Sequence, residues 1–339
     1  MKYKLNKLET KTTDNFKVNE LEIDLEVKPF NTKKIYEIEG LNISQTIKNK
    51  KITSKVGLDF NKYLEVEINI TKSSQKPLLL NYYFEKENSL ISKLKIIYEK
   101  DISRDIIIRY QSIDSMNHFN FLVETIEMKE NSTGTITYLN NLNSKSTNII
   151  SYEGTLADNS SITHNIIDLG GNIRIYNASI ESIGNYSKNY FNNLYIGKDN
   201  DIIDMNYLFK NKGEKSLNEL KVEGLLKDNA TKVFKGTIDF LKGAKKAIGK
   251  ESENCLLLSD TAISRSLPMM LCHEEDVEGS HGVSTGKVSK DKLFYLMTRG
   301  LSKKEAERLI VKANFNSVIQ SIKEEKIQEE ILEKIENMI

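Results

Sequence analysis

Cys255, Cys272, His273 and His281 are the side chains of this sequence best suited to bind a transition metal, and they fall close together. Their spacing argues against a closed zinc site. Cys272 and His273 are adjacent, and adjacent side chains of an extended strand point to opposite faces, so they do not readily share one ion. No Cys-x-x-Cys or His-x-x-x-His pair completes a tetrahedral set. Cys255 stands beside Leu256 and Leu258 and reads as a small core residue, which is how free cysteine usually behaves. His281 is different. It lies between Ser280 and Gly282, after the acidic run Glu274-Glu275-Asp276, in what reads as a glycine-rich connection without apolar neighbours. A loop histidine is commonly just solvated. Its functional reading is an iron ligand, because neutral imidazole binds iron and protonation competes with the metal, and Glu275 and Asp276 are then placed to orient it or attract iron.

Two further patterns invite a chemical reading. Gly243-Ala-Lys-Lys-Ala-Ile-Gly249-Lys250 looks like a phosphate-binding loop, but five residues separate its glycines where that loop has four. Glu251 takes the place of the hydroxyl residue that would hold magnesium, so no nucleotide is expected on this chain. Asp158, Asp199, Asp228 and Asp260 follow apolar segments and could be the carboxylates of a polysaccharide lyase or hydrolase. Aspartates at such corners more often satisfy the local backbone.

The elements that must position these residues change character along the chain. From about Leu64 to Tyr138 short alternating segments recur, such as Leu64-Val66-Ile68-Ile70 and Ile106-Ile107-Ile108, separated by Asn, Ser, Asp and Lys. YEGTLADNSSIT from Tyr152 matches VEGLLKDNATKV from Val222, which suggests a strand-plus-corner unit repeated as in a solenoid. Three prolines in 339 residues leave the backbone donors free for ladder pairing. After Gly286 the pattern is helical. Ser289 can cap a helix carrying Leu293, Phe294, Leu296 and Met297, with Gly300 ending it. Ser302 and Glu305 form a capping box before a second helix with Ala306, Leu309, Ile310 and Ala313 on one face, and Ile327, Ile331, Leu332 and Ile335 mark a third. The net charge of +1 offers no field for nucleic acid or an anionic membrane. No apolar run of membrane-spanning length and no signal-like segment is evident, and with two cysteines the reading is cytoplasmic.

Over about residues 225 to 312 the order Leu256-Leu257-Leu258-Ser259-Asp260, Pro268, Glu274-Glu275-Asp276-Val277, Ser280-His281-Gly282, Leu293-Phe294-Tyr295-Leu296 and Arg299-Gly300 resembles the core of the SufB/SufD family of iron-sulfur cluster assembly scaffolds. The resemblance implies a mainly β fold, a right-handed parallel β-helix over residues 61–286, with a small all-helical domain over 287–339 that docks an ATPase. Residues 1–60 are left without an assigned fold. The resemblance also implies a non-catalytic subunit working with a SufB-type paralogue and a SufC-type ABC ATPase, with sulfur reaching the paralogue from a cysteine desulfurase. An iron-sulfur cluster or iron would be held transiently and shared with the partner. His281 falls on the histidine that the SufD branch uses in nascent cluster assembly. Ser280 and Gly282 would let its backbone approach the partner, while Met270, Phe294 and Tyr295 are candidate partner contacts. The catalytic cysteine of SufB-type members falls near Glu253, their glutamate after the histidine on Gly282, and a frequent family cysteine on Gly279, so the chain looks like SufD. A SufB-like homodimeric scaffold is the nearer alternative; the polysaccharide enzyme is the more distant one.

Overall fold

The computed structural model describes residues 2–9, 12, 14–26, 36–39, 43–86 and 89–339. Among them the chain begins with short strands β1 (Lys2–Leu5), β2 (Leu21–Asp24), β3 (Tyr36–Glu39) and β4 (Ser44–Lys48), plus one 3-10 turn at Asp14–Phe16. Longer strands follow: β5 (Tyr63–Ile70), β6 (Ser74–Phe84), β7 (Ser89–Tyr98), β8 (Arg104–Ser112), β9 (Phe119–Met128), β10 (Thr133–Asn141), β11 (Thr147–Leu156) and β12 (Ser161–Asp168). They continue with β13 (Ile173–Ser182), β14 (Lys188–Gly197), β15 (Ile202–Asn211), β16 (Leu217–Leu226), β17 (Thr231–Phe240), β18 (Ala247–Leu257), β19 (Ile263–Cys272) and β20 (Val277–Lys287). Helices α1 (Lys290–Thr298), α2 (Lys303–Ile319) and α3 (Glu325–Met338) close the sequence.

From β5 onward each strand pairs in parallel with the strand two further along the chain, so odd and even strands form two facing sheets. One pass through both sheets is a coil, and about eight coils stack into the parallel β-helix that the sequence implied. Antiparallel β4 and β3 cover the first strand of each sheet. The period-2 pattern supplies the packing. Val66, Ile68 and Ile70 pair in register with Leu94, Ile96 and Tyr98 of the next coil, and all six are buried in one continuous core.

Corners repeat with the coils. Asp101, Asn131, Asn159, Tyr186, Lys215 and Lys246 all adopt positive φ at one corner, 27 to 31 residues apart. Their amides are satisfied by the following coil: Asn159 N–H donates to Asn185 O at 2.9 Å, and Tyr186 N–H to Glu214 O at 2.9 Å. A buried serine follows at Ser132, Ser160, Ser187 and Ser216, and each hydroxyl donates to the carbonyl three residues back at 2.6 to 2.8 Å.

The lumen also holds groups that burial keeps neutral. His164 is surrounded by Tyr138, Tyr152 and Phe191, and burial alone pushes its imidazole down to about 3. Glu124 accepts a hydrogen bond from Tyr138 Oη, yet burial pushes its carboxyl up to about 8. The folded chain therefore keeps Glu124 protonated after the unfolded chain has ionised it, so its contribution to stability is full below pH 4.5 and is lost as pH rises toward 8. Glu124→Gln should gain stability over the parent by roughly 1 kcal/mol per pH unit across that window, read from urea midpoints. A constant offset between the two proteins would show that Glu124 is already ionised in the native state.

The helices follow their caps but not their expected packing. Ser289 Oγ accepts from Lys292 N–H at 3.3 Å, Gly300 stands at φ 96°, and the Ser302–Glu305 capping box is present. The buried face of α2 is Ala306, Val311, Phe315, Val318 and Ile319, whereas Leu309 is exposed. α2 and α3 share one core with the outer face of the even sheet, packing on Ile107, Leu139, Ile167, Leu194 and Leu225. A sequence pattern reports that a helix has an apolar face; it does not report that the neighbouring sheet is what covers it.

Candidate functional site

β19 and β20 are the last strands of the two sheets, and among the described residues each is paired on one side only, β19 with β17 and β20 with β18. The end of the coil farthest from β3 and β4 therefore presents two open strand edges. Pro268 lies in mid-strand in β19 opposite Gly236, a position open to proline because an edge strand has a side that needs no donor.

His281 sits on this last coil, inside β20, and is exposed. The loop expected around Ser280-His281-Gly282 is a strand. Gly279 needs its missing side chain because the sulfur of Met270, from the facing wall, fills the space a Cβ would take. Met270 packs toward Phe240 and Ala247 and is partly buried on the terminal rung. Glu275 and Asp276 lie in the turn before β20. His281 lies five positions beyond Asp276 along an extended strand, about 16 Å at the usual rise, so these carboxylates do not adjoin the imidazole. Instead Glu274 accepts from Gly243 N–H at 2.9 Å and Asp276 O from Lys246 N–H, closing the corner.

Beneath β20, the lumen side of β18 carries Glu251, Glu253 and Cys255, all buried and alternate along the strand. Glu253 pairs with fully buried Lys232, whose ammonium also donates to Ser266 Oγ at 2.8 Å. Cys255 is buried next to Tyr195, and burial pushes its thiol up, which disfavours the thiolate and fits a packing role. Glu251 pairs in register with His281, and burial, reinforced by Glu253, pushes its carboxyl up to about 8. Sequence reading passed over Glu251 except as a misfit in a phosphate loop. The signal was its alternation with Glu253 and Cys255, and its offset of one coil from His281.

The other candidates lie apart. Cys272 is exposed at the end of β19, and His273 Nε2 is 3.6 Å from Asp239 Oδ1 on the far side of the corner. Among the described residues no group of three or more His, Cys, Asp or Glu side chains is gathered to hold a metal ion. No described helix is long and apolar enough to cross a membrane. On the helical side, α1 buries none of its residues. Phe294 is 70% and Tyr295 57% exposed, so neither packs a helical core. Tyr295 and Leu296 line an apolar groove with Leu309, Ile310 and Ala313 of α2.

Residues 82–314 match the family described as SUF system FeS cluster assembly, SufBD core domain. Over 127 residues the chain is 32% identical to the iron-sulfur cluster assembly protein SufD of Bacillus subtilis, covering 38% of this chain and 29% of that one. It is 27% identical over 179 residues to SufD of Escherichia coli, covering 52% and 42%. A SufBD family protein of Pyrococcus horikoshii is 32% identical over 131 residues, covering 39% and 29%. The matched stretches thus span less than half of each of these relatives.

Proposed function

This chain belongs to the SufBD core family of iron-sulfur cluster assembly, most like SufD, and from that premise we propose that it is a non-catalytic scaffold subunit that pairs with a SufB-type paralogue, binds a SufC-type ATPase and helps build a cluster on sulfur relayed to that paralogue from a cysteine desulfurase. One observation carries the proposal: the exposed His281 stands on the only coil whose two strand edges are both long and unpaired among the described residues. A second β-helix laid against that end would satisfy the edges and bring its own ligands to the imidazole. A single histidine cannot hold a cluster, so iron or cluster, as the substrate, would be shared and transient. The nucleotide chemistry would belong to the ATPase, and the complex would be cytoplasmic.

Co-expression with a SufB-type chain and a SufC-type ATPase, followed by mass measurement, tests this reading. A complex containing all three supports it. Self-association with the ATPase alone would favour the homodimeric scaffold, and a stable monomer fully active in cluster assembly would remove the pairing. For the ATPase, α1 is the docking surface: its aromatic residues are exposed, and it can be altered without opening the core that α2 and α3 close. Phe294→Asp should weaken ATPase binding by about 30-fold or more, the scale of an aromatic anchor, as read by titration calorimetry. Unchanged affinity would place the ATPase elsewhere. Deleting everything after Gly286 is a poorer test, because it would uncover Ile107, Leu139, Ile167, Leu194 and Leu225.

A further inference from the structure

Glu251 is 3% exposed, and neither carboxylate oxygen has a hydrogen-bond partner among the described residues. Such a group is expensive, and its presence needs a reason. Its neighbours do not supply a cation, since Lys232 is engaged with Glu253 and Ser266. The lumen is shaped around the carboxylate. Across from it Gly236 has no side chain, and Glu251 occupies the space that a Cβ there would fill. One coil outward, Pro268 follows Gly236 on that wall, and His281 follows Glu251 on this one. Register neighbours in a parallel ladder lie about 4.8 Å apart and project to the same side, so Glu251 and His281 stand one rung apart on the same face.

Resting on the reading of His281 as an iron ligand, we propose that Glu251 is the second ligand this chain contributes, and that the two together hold a divalent first-row metal ion, ferrous iron in the assembly reaction. Carboxylate with imidazole is a donor set for Fe(II), Mn(II) or Co(II), distinct from the thiolates that hold a finished cluster. The ion's remaining positions face the open end, where water and the partner reach them.

The test uses the purified full chain with Co(II) as probe, read by visible absorbance and chelator competition, together with melting temperatures with and without cobalt. The parent should bind one ion, with Glu251→Gln and His281→Ala each weakening it at least about tenfold, the loss that removing even an outer hydrogen-bond partner of a ligand causes. Cobalt should raise the melting temperature of the parent and of neither variant. Metal-free Glu251→Gln should melt no lower than the parent, since it removes an unpaired buried carboxylate; a lower melting point with unchanged cobalt affinity would make Glu251 a packing residue. Loss of binding in His281→Ala alone would overturn the role of Glu251 and leave that of His281 standing. Full binding in both variants would overturn both, and loss in Glu251→Gln alone would overturn the pair.

Discussion

In the complex reconstituted with its partners, His281→Ala is expected to lower iron content and cluster absorbance at least about tenfold, while subunit assembly and ATPase binding stay as in the parent. The imidazole stands on the outermost strand and is exposed, so the folded chain loses little when it goes, within about 0.5 kcal/mol for a surface change of this kind. What it would lose is a nitrogen donor at the place where a partner's thiolate would complete the coordination. This separation of effects makes the experiment decisive: an undiminished cluster would leave the chain a purely architectural subunit, whatever its partners.

Arg174→Met should destabilise the β-helix by about 3–5 kcal/mol at neutral pH, the usual cost of removing one member of a buried ionic group. Arg174 is fully buried. Its guanidinium donates to Asp168 Oδ2 at 3.2 Å and to Asp201 Oδ2 at 2.8 Å, tying the end of β12 to the corner before β15. Burial pushes both carboxyls up and the guanidinium holds them back, so without it two carboxylates remain in the interior with no counterion. The deficit should shrink as pH falls and these carboxyls take up protons. Urea unfolding at pH 7 and pH 4.5 measures both parts. A variant as stable as the parent at pH 7 would show that the group contributes specificity and no net stability.

Much of this architecture could be read from the residues. Strand alternation from Leu64 onward, the Ser289 cap, the Ser302–Glu305 box and the Gly300 stop are local signals, and the backbone follows them. The match between Tyr152 and Val222 relates β11 of the odd sheet to β16 of the even one and so does not mark the coil, and the corners it aligns differ, with positive φ at Asn159 in one and at Asp228 in the other. Asp and Asn account for only part of the corners. Tyr186, Lys215 and Lys246 hold the same positive φ because ladder bonds from adjacent coils fix them, and no side-chain preference announces that. The serines at 132, 160, 187 and 216 carried the period more faithfully. His281 was legible as a candidate but not as a strand residue, since Gly279, Gly282 and Gly286 imitate a loop. Glu251 needed the coil length, because its relation to His281 exists only across the ladder.

The two ends of the coil differ in how their strand edges are covered among the described residues. At one end the parallel strands are met by β3 and β4, four and five residues long and running antiparallel, which blunt further pairing. At the other, β19 and β20 offer ten and eleven residues of free edge. A stack with two adhesive ends would polymerise, whereas a stack with one is consumed by its first match. Under the pairing proposed above, association through the β19–β20 end would stop at two β-helices, with the imidazole at their junction.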